Sequence, residues 1–470
     1  MVQTLVNNAG SDIPGNDIKA FASSLKGKVH EPGSAGYEDA RAIFNGMIDR
    51  HPGLIAQPAD TSDVVRCVNF AREHELIISV KGGGHAASGH AVCEGGLMID
   101  LRNLDSIEVD PRAQTATAGG GATWGPFDAA TQQHGLAVTG GRNPTTGIGG
   151  LTLGSGSGWL ERKLGYTADN LLGVEIVTAN GEVLRASETE NPELFWGLRG
   201  GGGNFGIVTE FKYQLHKIGP MVYGGQLAFP RFMSAQVVKA YRDFMENASD
   251  DIGGGVALVS APRMDPVPPP VQGMPVVGII VCYAGNPADG PEAIKPLLAL
   301  NPVMNMCQEM PYVAVQDMLT EGSPPGMRNY WKADMYPEMP DELIDKIAEA
   351  TAQPPSEETI VLFQPQGGQA NRVDENRSAL GWRGAKWSLH VLGAWTDPAK
   401  DDEVIAWVRN IAAIGAPYAQ DGTYLNYLMD EGLDRVKASF GPKYEKMVQL
   451  KNKYDPKNMF CLNQNIKPTV

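Results

Sequence analysis

One glycine-rich stretch organises the chain: Lys81-Gly-Gly-Gly-His-Ala-Ala-Ser-Gly-His90. It follows Leu76-Ile-Ile-Ser-Val80, an apolar run rich in β-branched residues that predicts a short buried strand. Three consecutive glycines can adopt positive φ and leave peptide N–H groups free to face a ligand. His85 follows them directly, so we expect its imidazole to project from the same surface. Such a motif alone is more often a simple turn, and the rest of the chain decides its role.

Size and charge limit the kinds of protein to consider. A chain of 470 residues is about three times the usual domain size and predicts two or three domains. A hydrophobic content of 42% and a charged content of 20% are typical of a globular protein. A formal net charge of −15 argues against nucleic acid or an anionic membrane as partner, since both require clustered Lys and Arg. We expect a monomer or homodimer that acts on a small molecule.

The chain shows no targeting segment and no cysteine motif. Its N-terminus lacks a charged region followed by an apolar core, and no apolar run reaches about 18 residues. We therefore expect a cytoplasmic protein, unless a leader peptide has been removed. The five widely spaced cysteines contain no CxxC pair, which excludes a zinc module, gives no disulfide framework and favours small core residues. No metal site is predicted.

The first half of the chain predicts an α+β nucleotide-binding unit. Residues 37–48 predict a short helix, and residues 61–75 predict an amphipathic helix with Thr61 as its N-cap. A second buried strand is predicted over 96–101. Further predicted elements are a hairpin of 106–109 with 115–118, a helix over 124–134 ending at Gly135, and a hairpin of 172–179 with 182–186 around Asn180-Gly181.

Two more glycine clusters follow. The densest run extends from Thr139 to Trp159 and has little side-chain volume to pack, so a large flat or polyphosphorylated ligand would supply the missing atoms. Gly201-x-Gly203-x-x-Gly206 matches the dinucleotide fingerprint, which requires a helix after it. The following residues, 207–215, alternate with period two and predict a strand instead. A Rossmann site is therefore disfavoured.

From about Pro220 the pattern indicates a second α+β domain. Strands predicted at 221–229, 256–260, 276–282, 359–363 and 387–392 alternate with helices predicted at 234–246, 291–300, 342–351 and 402–414. The proline-rich stretch 262–275 predicts a surface loop, because proline cannot donate within a sheet. Residues 444–454 predict a helix in the tail.

Six motifs in a fixed order connect these parts. They are Gly82-Gly-Gly-His85, Gly147-Ile-Gly-Gly-Leu-Thr-Leu-Gly-Ser-Gly-Ser-Gly-Trp159, Asp169-Asn-Leu-Leu172, Leu194-Phe-Trp-Gly-Leu-Arg-Gly-Gly-Gly-Gly-Asn-Phe-Gly-Ile-Val-Thr209, Tyr424-Leu-Asn-Tyr427, and Tyr454-Asp-Pro-x-Asn-x-Phe460 with Asn463-Gln-Asn-Ile466. Together they resemble the vanillyl-alcohol-oxidase (PCMH-type) family of covalent FAD-linked oxidases. Within it, the chain is similar to the berberine-bridge-enzyme-like branch, which includes 6-hydroxynicotine oxidase. Each motif is weak alone, but six in order are specific.

The resemblance implies an α+β fold with three parts. Residues 1–218 would form a two-part PCMH-type FAD-binding domain, with α+β subdomains at about 30–105 and 106–218. Residues 219–420 would form an α+β substrate domain, an antiparallel sheet covered by helices. Residues 421–470 would return to the FAD domain.

The resemblance also implies that FAD is attached through its 8α-methyl to His85, which would make the ring a better hydride acceptor. Many members have a second link from a cysteine. Here Asn143 occupies that place, so we expect a single histidyl bond and disfavour an oligosaccharide substrate. His90 receives no role. Further implied cofactor contacts are Gly82, Gly83, Gly84, Ala86, Ser88, Gly89, Thr145, Thr146, Gly147, Gly149, Gly150, Gly154, Ile207 and Val208 near adenine, Tyr424, Asn426, Asn463, and Asn465 near the ring.

The implied catalytic base is Tyr427. A phenol has an ordinary pKa of about 10 and needs a nearby cation to act at neutral pH, for which Arg383 and Lys386 are candidates. Gln364 or Gln366 stands where some relatives place a glutamate, so a carboxylate base is disfavoured. Three tryptophans form either a substrate wall or part of the core: Trp382, Trp387 and Trp395.

The predicted function is that of an FAD-dependent oxidase. It would take a hydride from an alcohol or amine carbon of a small ring-bearing or sugar-like substrate to flavin N5, and O2 would reoxidise the flavin to give H2O2. The alternatives are a flavin dehydrogenase with another acceptor, a flavin-carrying binding protein without turnover, and a pyridine-nucleotide-linked oxidoreductase.

Overall fold

The computed structural model describes residues 4–263, 267, 269–320 and 322–470. In this part of the chain, three larger sheets carry most of the strands. The loop predicted over 262–275 includes residues 264–266 and 268, which lie outside the described residues. No helix in the described ranges has the length and apolar character needed to cross a bilayer.

The first sheet has four strands from residues 28–100. Its order is Lys28–His30, Leu54–Gln57, Leu97–Asp100, Ile78–Lys81. The strand Leu97–Asp100 pairs in parallel with both of its neighbours, and Lys28–His30 is antiparallel to Leu54–Gln57. The two strands predicted here are confirmed, with ends that differ by one or two residues. The triple glycine therefore leaves the sheet at the carboxyl end of Ile78–Lys81.

The helix Thr61–Glu73 connects two strands of this sheet and buries Val64, Val68 and Ala71, as its periodicity predicts. Its N-cap is Asp60, whose carboxylate accepts a hydrogen bond from the N–H of Asp63. The prediction of Thr61 as the cap was wrong.

The Thr61 side chain has a different partner. Its hydroxyl donates to Glu175 at 2.8 Å, on a strand of the next sheet. The carboxylate of Asp60 is the stronger acceptor for a helix N-terminus, so it takes the capping position.

The second sheet has five antiparallel strands. Its order is Ile107–Asp110, Thr115–Gly119, Gly206–Gln214, Leu171–Thr178, Val183–Ser187. Both predicted hairpins are confirmed, and Gly181 has the positive φ of +77° that its turn requires. The strand Gly206–Gln214 directly follows the GxGxxG match, which contradicts a dinucleotide fingerprint.

The third sheet is antiparallel and lies in residues 221–395. Its main order is Met304–Asn305, Met221–Pro230, Pro275–Tyr283, Ile252–Ser260, Ile360–Pro365, Trp387–Trp395, Arg328–Tyr336, with Gln308–Pro311 also paired to Met221–Pro230. The helices Ser234–Asn247, Asp341–Ala350 and Asp401–Gly415 pack their apolar residues into the core of this sheet. The strand Arg328–Tyr336 was not predicted.

The remaining elements are short. The predicted helix over 37–48 is confined to Tyr37–Arg41, and the one over 291–300 is divided into Gly290–Ala293 and Lys295–Leu298, where Pro296 lacks the N–H of a continuous helix. Other helices are Gly15–Ser24, Trp124–Gln132, Ile148–Leu153, Glu161–Leu164, Pro192–Leu198, Tyr312–Asp317, Gln369–Arg372, Leu433–Phe440 and Tyr444–Tyr454. Single 3₁₀ turns lie at Leu101–Asn103, Thr167–Asn170, Arg231–Met233, Pro287–Asp289, Glu375–Arg377, Pro398–Lys400, Ala416–Tyr418, Leu425–Tyr427 and Gly441–Lys443, and Leu136–Ala137 pairs with His216–Lys217.

The core of the second sheet includes residues from the C-terminal part of the chain. Phe440, Met447 and Ile466 are buried in the same cluster as Phe127 and Phe211. The C-terminal residues therefore pack beside the glycine-rich loops. The domain boundaries at 218 and 420 stay a prediction.

Candidate active site

A cavity of about 400 Å³ lies between the glycine-rich loops, the C-terminal segment and the third sheet. A concave, largely apolar site with a few converging polar groups is the usual form of a ligand-binding site. Predicted cofactor residues that line it are Gly82, Gly83, Gly84, His85, Ala86, Ser88, Thr146, Gly147, Gly149, Gly150, Ile207, Val208, Tyr424, Asn426 and Asn463. Contact of these residues with a cofactor stays a prediction.

Two glycine loops approach each other closely at the floor of the cavity. A Cβ on Gly83 would lie 2.2 Å from the backbone nitrogen of Gly147, and a Cβ on Gly147 would lie 2.2 Å from that of Gly83. No side chain fits at either position. The sequence is glycine-rich here partly because two backbones meet, and only partly because a ligand needs room.

Four predicted cofactor residues do not line the cavity. Thr145 contacts His85 from outside it, and Gly89 lies at a turn with φ +75°. A Cβ on Gly154 would lie 2.1 Å from the Asn426 side chain, so Gly154 makes room for that amide. Asn465 lies beyond the lining residues.

His85 is partly buried and held on two sides. Its ring stacks on Phe44 with the centroids 4.5 Å apart, and its Nε2 lies 2.7 Å from the Thr145 hydroxyl. That hydroxyl donates its proton to Asn143 at 2.7 Å, so it accepts from Nε2–H and leaves the Nδ1 lone pair free. Burial lowers the pKa of His85 to about 4. The imidazole is therefore neutral at pH 7.

Tyr427 ends the turn Leu425–Tyr427 of the C-terminal segment and lines the same cavity, next to Gln364 and His390 of the third sheet. Its hydroxyl is 3.2 Å from the Gln364 amide and 3.4 Å from Nη1 of Arg142. With the amide nitrogen of Gln364 facing Tyr427 and its oxygen facing the guanidinium of Arg142, 2.9 Å from Nη2, every partner is satisfied. The His390 ring stacks on Tyr427 with the centroids 3.9 Å apart.

The charge near Tyr427 comes from Arg142. Burial raises the pKa of Tyr427, and the guanidinium of Arg142 opposes that rise. Burial, assisted by Arg142, lowers the pKa of His390 to about 3, so His390 stays neutral. The predicted cations are engaged elsewhere: Arg383 pairs with Asp169 at 2.7 Å, and Lys386 lies 3.5 Å from Glu338.

Sequence reasoning missed several residues of this wall. Arg142 and Tyr427 are 285 residues apart, Trp331 and His390 lie in no recognised motif, and Ser157 was given no role although it lies in the motif 147–159. The one usable signal was a charged residue inside the glycine run of 139–159. Such a residue has no local helix or strand face to occupy.

Of the two alternatives for the three tryptophans, positions in the core are confirmed. Trp382, Trp387 and Trp395 are all buried within the cores and do not line the cavity. The aromatic lining comes from Phe44 and Trp331 instead. Gln364 lines the cavity, whereas Gln366 accepts a hydrogen bond from Tyr166 outside it. His90 also lines it, and burial lowers the pKa of its ring to about 4.

Comparison with known proteins agrees with the family that the sequence motifs resemble. Residues 52–187 match the family model of an FAD binding domain, and residues 423–467 match the model of berberine and berberine-like proteins. An FAD-linked oxidoreductase of Dictyostelium discoideum is 30% identical over 455 residues, which cover 96% of this chain and 97% of that protein. The chain belongs to the berberine-bridge-enzyme-like family of FAD-linked oxidoreductases. The predicted family and enzyme class are confirmed.

Two further comparisons, one of sequence and one of structure, agree with this family and its fold. The (R)-6-hydroxynicotine oxidase of Paenarthrobacter nicotinovorans is 30% identical, with 95% of this chain and 97% of that protein covered. The crystal structure of 6-hydroxy-D-nicotine oxidase from Arthrobacter nicotinovorans superposes with a TM-score of 0.84 at 28% identity, covering 95% of this chain and 99% of that one. The predicted fold class is confirmed.

The residues of the cavity fit an FAD cofactor. The bare backbone of Gly82, Gly83, Gly84, Gly147, Gly149 and Gly150 lines the cavity, and peptide N–H groups of such backbone can bind phosphate or ring oxygens. Asn463 lines the cavity, and its buried Oδ1 has no hydrogen-bond partner among the described residues. A buried acceptor without a partner is costly, and an N–H donor on the flavin ring would satisfy it.

Proposed function

We propose that this FAD-linked oxidoreductase is an oxidase for small ring-bearing molecules that carry a hydroxyl group. The observation that supports this best is the phenol of Tyr427, placed between Arg142 and Gln364 on a wall of the same cavity that His85 lines. Bound FAD supplies a hydride acceptor, and dioxygen takes the electrons to give H2O2. Tyr427 takes the hydroxyl proton as the C–H bond breaks.

We propose an alcohol rather than an amine as the group that is oxidised. The charged neighbour of Tyr427 at the cavity surface is Arg142, a cation, and a substrate ammonium group would be repelled by it. A neutral hydroxyl can donate to Tyr427 without this penalty. Phe44, Trp331 and Leu392 provide apolar surface against which a small ring can pack.

We also propose that FAD is attached to His85 by a single bond. A neutral imidazole with a free Nδ1 lone pair has the electron pair that a bond to carbon requires. Asn143 has no thiol, so the second attachment of other family members has no counterpart here. Phe44 and Thr145 hold the ring in one orientation.

Acid precipitation tests the attachment. The yellow colour should stay with the precipitated wild-type protein and move to the supernatant for His85→Ala. Peptide mapping should find the added flavin mass on the peptide that contains His85. Release of flavin from the wild type would contradict the covalent bond, and a colourless native protein would contradict FAD binding altogether.

The redox function is tested with matched pairs of alcohols and amines on the same small ring. We expect the alcohol of a pair to bleach the flavin anaerobically and to give one H2O2 per turnover in air. Tyr427→Phe should reduce the rate of bleaching by about 10²- to 10⁴-fold, the usual contribution of a general base. Tyr418→Phe is the control, since Tyr418 contacts Lys346 away from the cavity.

The alternatives give distinct results in the same assay. A dehydrogenase would be bleached by substrate and would produce no peroxide in air. A binding protein would not be bleached by any of the pairs, and its photoreduced flavin would stay reduced in air. Faster bleaching by the amine would contradict the proposed role of Arg142.

A further inference from the structure

Asp128 is a buried carboxyl group next to the loop that carries Arg142. It lies on the helix Trp124–Gln132 and is 2% exposed. Its Oδ2 accepts a hydrogen bond at 3.0 Å from Nε2 of Gln316, which lies on the helix Tyr312–Asp317. The same Nε2 donates to the carbonyl of Gly141 at 3.1 Å. Gln316 therefore joins the buried carboxyl group to the residue that precedes Arg142.

The orientation of the Gln316 amide follows from these two bonds. A backbone carbonyl can only accept, so the amide atom that faces Gly141 must be the nitrogen. Both hydrogens of Nε2 are then used, one by Asp128 and one by Gly141. The amide oxygen Oε1 is buried and has no hydrogen-bond partner among the described residues.

The second oxygen of Asp128 also lacks a partner. Oδ1 is buried and makes no hydrogen bond within the part of the chain that the structure describes. An ionised carboxyl group only accepts, so it would leave both Oδ1 and Oε1 without a donor, which is costly in a buried place. A single proton on Oδ1 is a donor for Oε1 and satisfies both oxygens. The two side chains then form a ring of two hydrogen bonds, N–H to Oδ2 and O–H to Oε1.

Burial favours the neutral acid. It raises the pKa of Asp128 to about 7, and the hydrogen bond from Gln316 opposes that rise. A hydrogen bond that the acid itself donates raises the pKa further, because it stabilises the neutral form. The ionisable side chain that faces Asp128 from the helix Tyr312–Asp317 is Tyr312, and burial raises the pKa of its phenol far above the ordinary value. Tyr312 is therefore neutral as well.

Other ionisable groups around the helix Trp124–Gln132 are exposed, neutral or paired. They are Glu108 and Asp110, which the strand Ile107–Asp110 exposes; Tyr213, whose hydroxyl lies 2.7 Å from that of Thr152; and Arg142, which lies 3.6 Å from Glu161. A carboxylate that is buried without a cation beside it takes up a proton rather than keep its charge.

We propose that Asp128 is a protonated carboxylic acid in the resting protein, and that its acid–amide pair with Gln316 holds Gly141 and Arg142 in place. Gly141 and Arg142 both line the cavity, and Nη1 of Arg142 lies 3.4 Å from the Tyr427 hydroxyl. Asp128 is thus a positioning residue for the cation beside Tyr427. Its effect on the rate rests on the proposed alcohol oxidation, whereas its protonation does not.

Infrared spectroscopy of the flavin-loaded protein tests the protonation. Spectra are compared between about pH 5.5 and about pH 9, on either side of the raised pKa. At the lower pH the wild type should show the C=O band of a protonated carboxyl group that Asp128→Asn lacks. Asp317→Asn is the matched control, since Asp317 is an exposed carboxyl group beside Gln316, and this variant should keep the band.

Thermal unfolding tests the pair in a second way. The native pKa of Asp128 lies above the unfolded value of about 3.9, so its contribution to stability is present at low pH and is lost as pH rises through the native pKa. An amide at this position is neutral at every pH, and it can donate to Oε1 and accept from Nε2 as the acid does. The midpoint of Asp128→Asn should therefore lie within about 2 °C of the wild type at about pH 5.5 and above it at about pH 9.

The rate of flavin bleaching by an alcohol tests the positioning role. Ionisation of Asp128 leaves Oδ1 and Oε1 without a donor, and the hold of Gln316 on Gly141 weakens. The ratio of the Asp128→Asn rate to the wild-type rate should therefore rise by about 5-fold or more between about pH 5.5 and about pH 9, the lower end of usual coupling between sites. Asp128→Leu, which can form neither bond of the ring, should be slower than Asp128→Asn at both pH values.

The outcomes distinguish the two proposals. A protonated carboxyl band that is unchanged in Asp128→Asn overturns the acid–amide pair, and so does a variant that is less stable than the wild type at the higher pH. A rate ratio that is constant with pH overturns the positioning role. Wild-type protein that no alcohol or amine bleaches overturns the proposed oxidation, while the spectra and the unfolding midpoints still decide the state of Asp128.

Discussion

Replacing Lys451 by methionine should destabilise the protein more than any change at its surface. Lys451 and Asp455 are both fully buried, with 2.7 Å between Nζ and the carboxylate. Nζ also donates to the carbonyls of Asn204 and Phe460, each at 2.9 Å. All three protons of the ammonium group are therefore used. The substitution removes these bonds and leaves the carboxylate buried without its counter-charge.

The size of the effect follows from that geometry. Breaking a buried ion pair by removing one partner costs about 3–5 kcal/mol. At about 2 °C per kcal/mol for a chain of this size, the unfolding midpoint should fall by about 6–10 °C. Thermal unfolding followed by circular dichroism measures it. Lys453→Met, on the same helix with a side chain that is 59% exposed, should change the free energy of unfolding by less than about 0.5 kcal/mol.

A double variant tests whether the unpaired carboxylate of Asp455 causes this loss of stability. Combining Lys451→Met with Asp455→Asn removes the unpaired negative charge of Asp455. The amide oxygen of the new asparagine can still accept hydrogen bonds from the N–H groups of Met459 and Phe460, which lie 2.8 and 2.9 Å from the native carboxylate. The double variant should therefore be more stable than Lys451→Met alone. A midpoint for Lys451→Met within about 2 °C of the wild type, or additive losses in the double variant, would refute the argument.

Three other predictions concern acid stability, cofactor binding and pH dependence. Burial alone would raise the pKa of Asp63, but hydrogen bonds from three backbone N–H groups lower it. Asp63 therefore stabilises the fold above about pH 4, and this contribution is lost as pH falls. Asp63→Asn should make the unfolding midpoint depend less on pH between about pH 5 and 2, and an unchanged pH dependence would contradict this. Gly83→Ala should push two loops apart and lower the flavin content measured by absorbance, whereas Gly15→Ala, with open space at Cβ, should not. Arg142→Met removes the cation that opposes the raised pKa of Tyr427, so the rate of flavin bleaching should require higher pH than in the wild type, and a profile that stays in place would exclude that role.

Local patterns were enough to predict much of the fold. The hairpin at Asn180-Gly181 and the strand Gly206–Gln214 follow from turn chemistry and period-two alternation, which act within a few residues. The strand Arg328–Tyr336 was missed because it lies at the edge of its sheet, where Lys332 and Asp334 interrupt the apolar alternation. Edge strands tolerate such charges, since only one side is paired.

The candidate site also contains residues that could be predicted from the sequence and residues that could not. His85 and the glycine loops form continuous motifs, so their place at a cavity could be predicted from the sequence. The cation beside Tyr427 could not, because Arg142 reaches it through folding of segments that are 285 residues apart. Arg383 was a reasonable expectation by position, but its pairing with Asp169 depends on the same distant contacts.

The order of synthesis matters for a cavity closed in this manner. Tyr424 to Leu428 and Phe460 to Gln464 supply part of the wall, although the loops they face are made hundreds of residues earlier. A nascent chain that ends at the third sheet therefore lacks this part of the wall. We therefore expect the complete FAD site to form only after the segment around residue 460 has been synthesised.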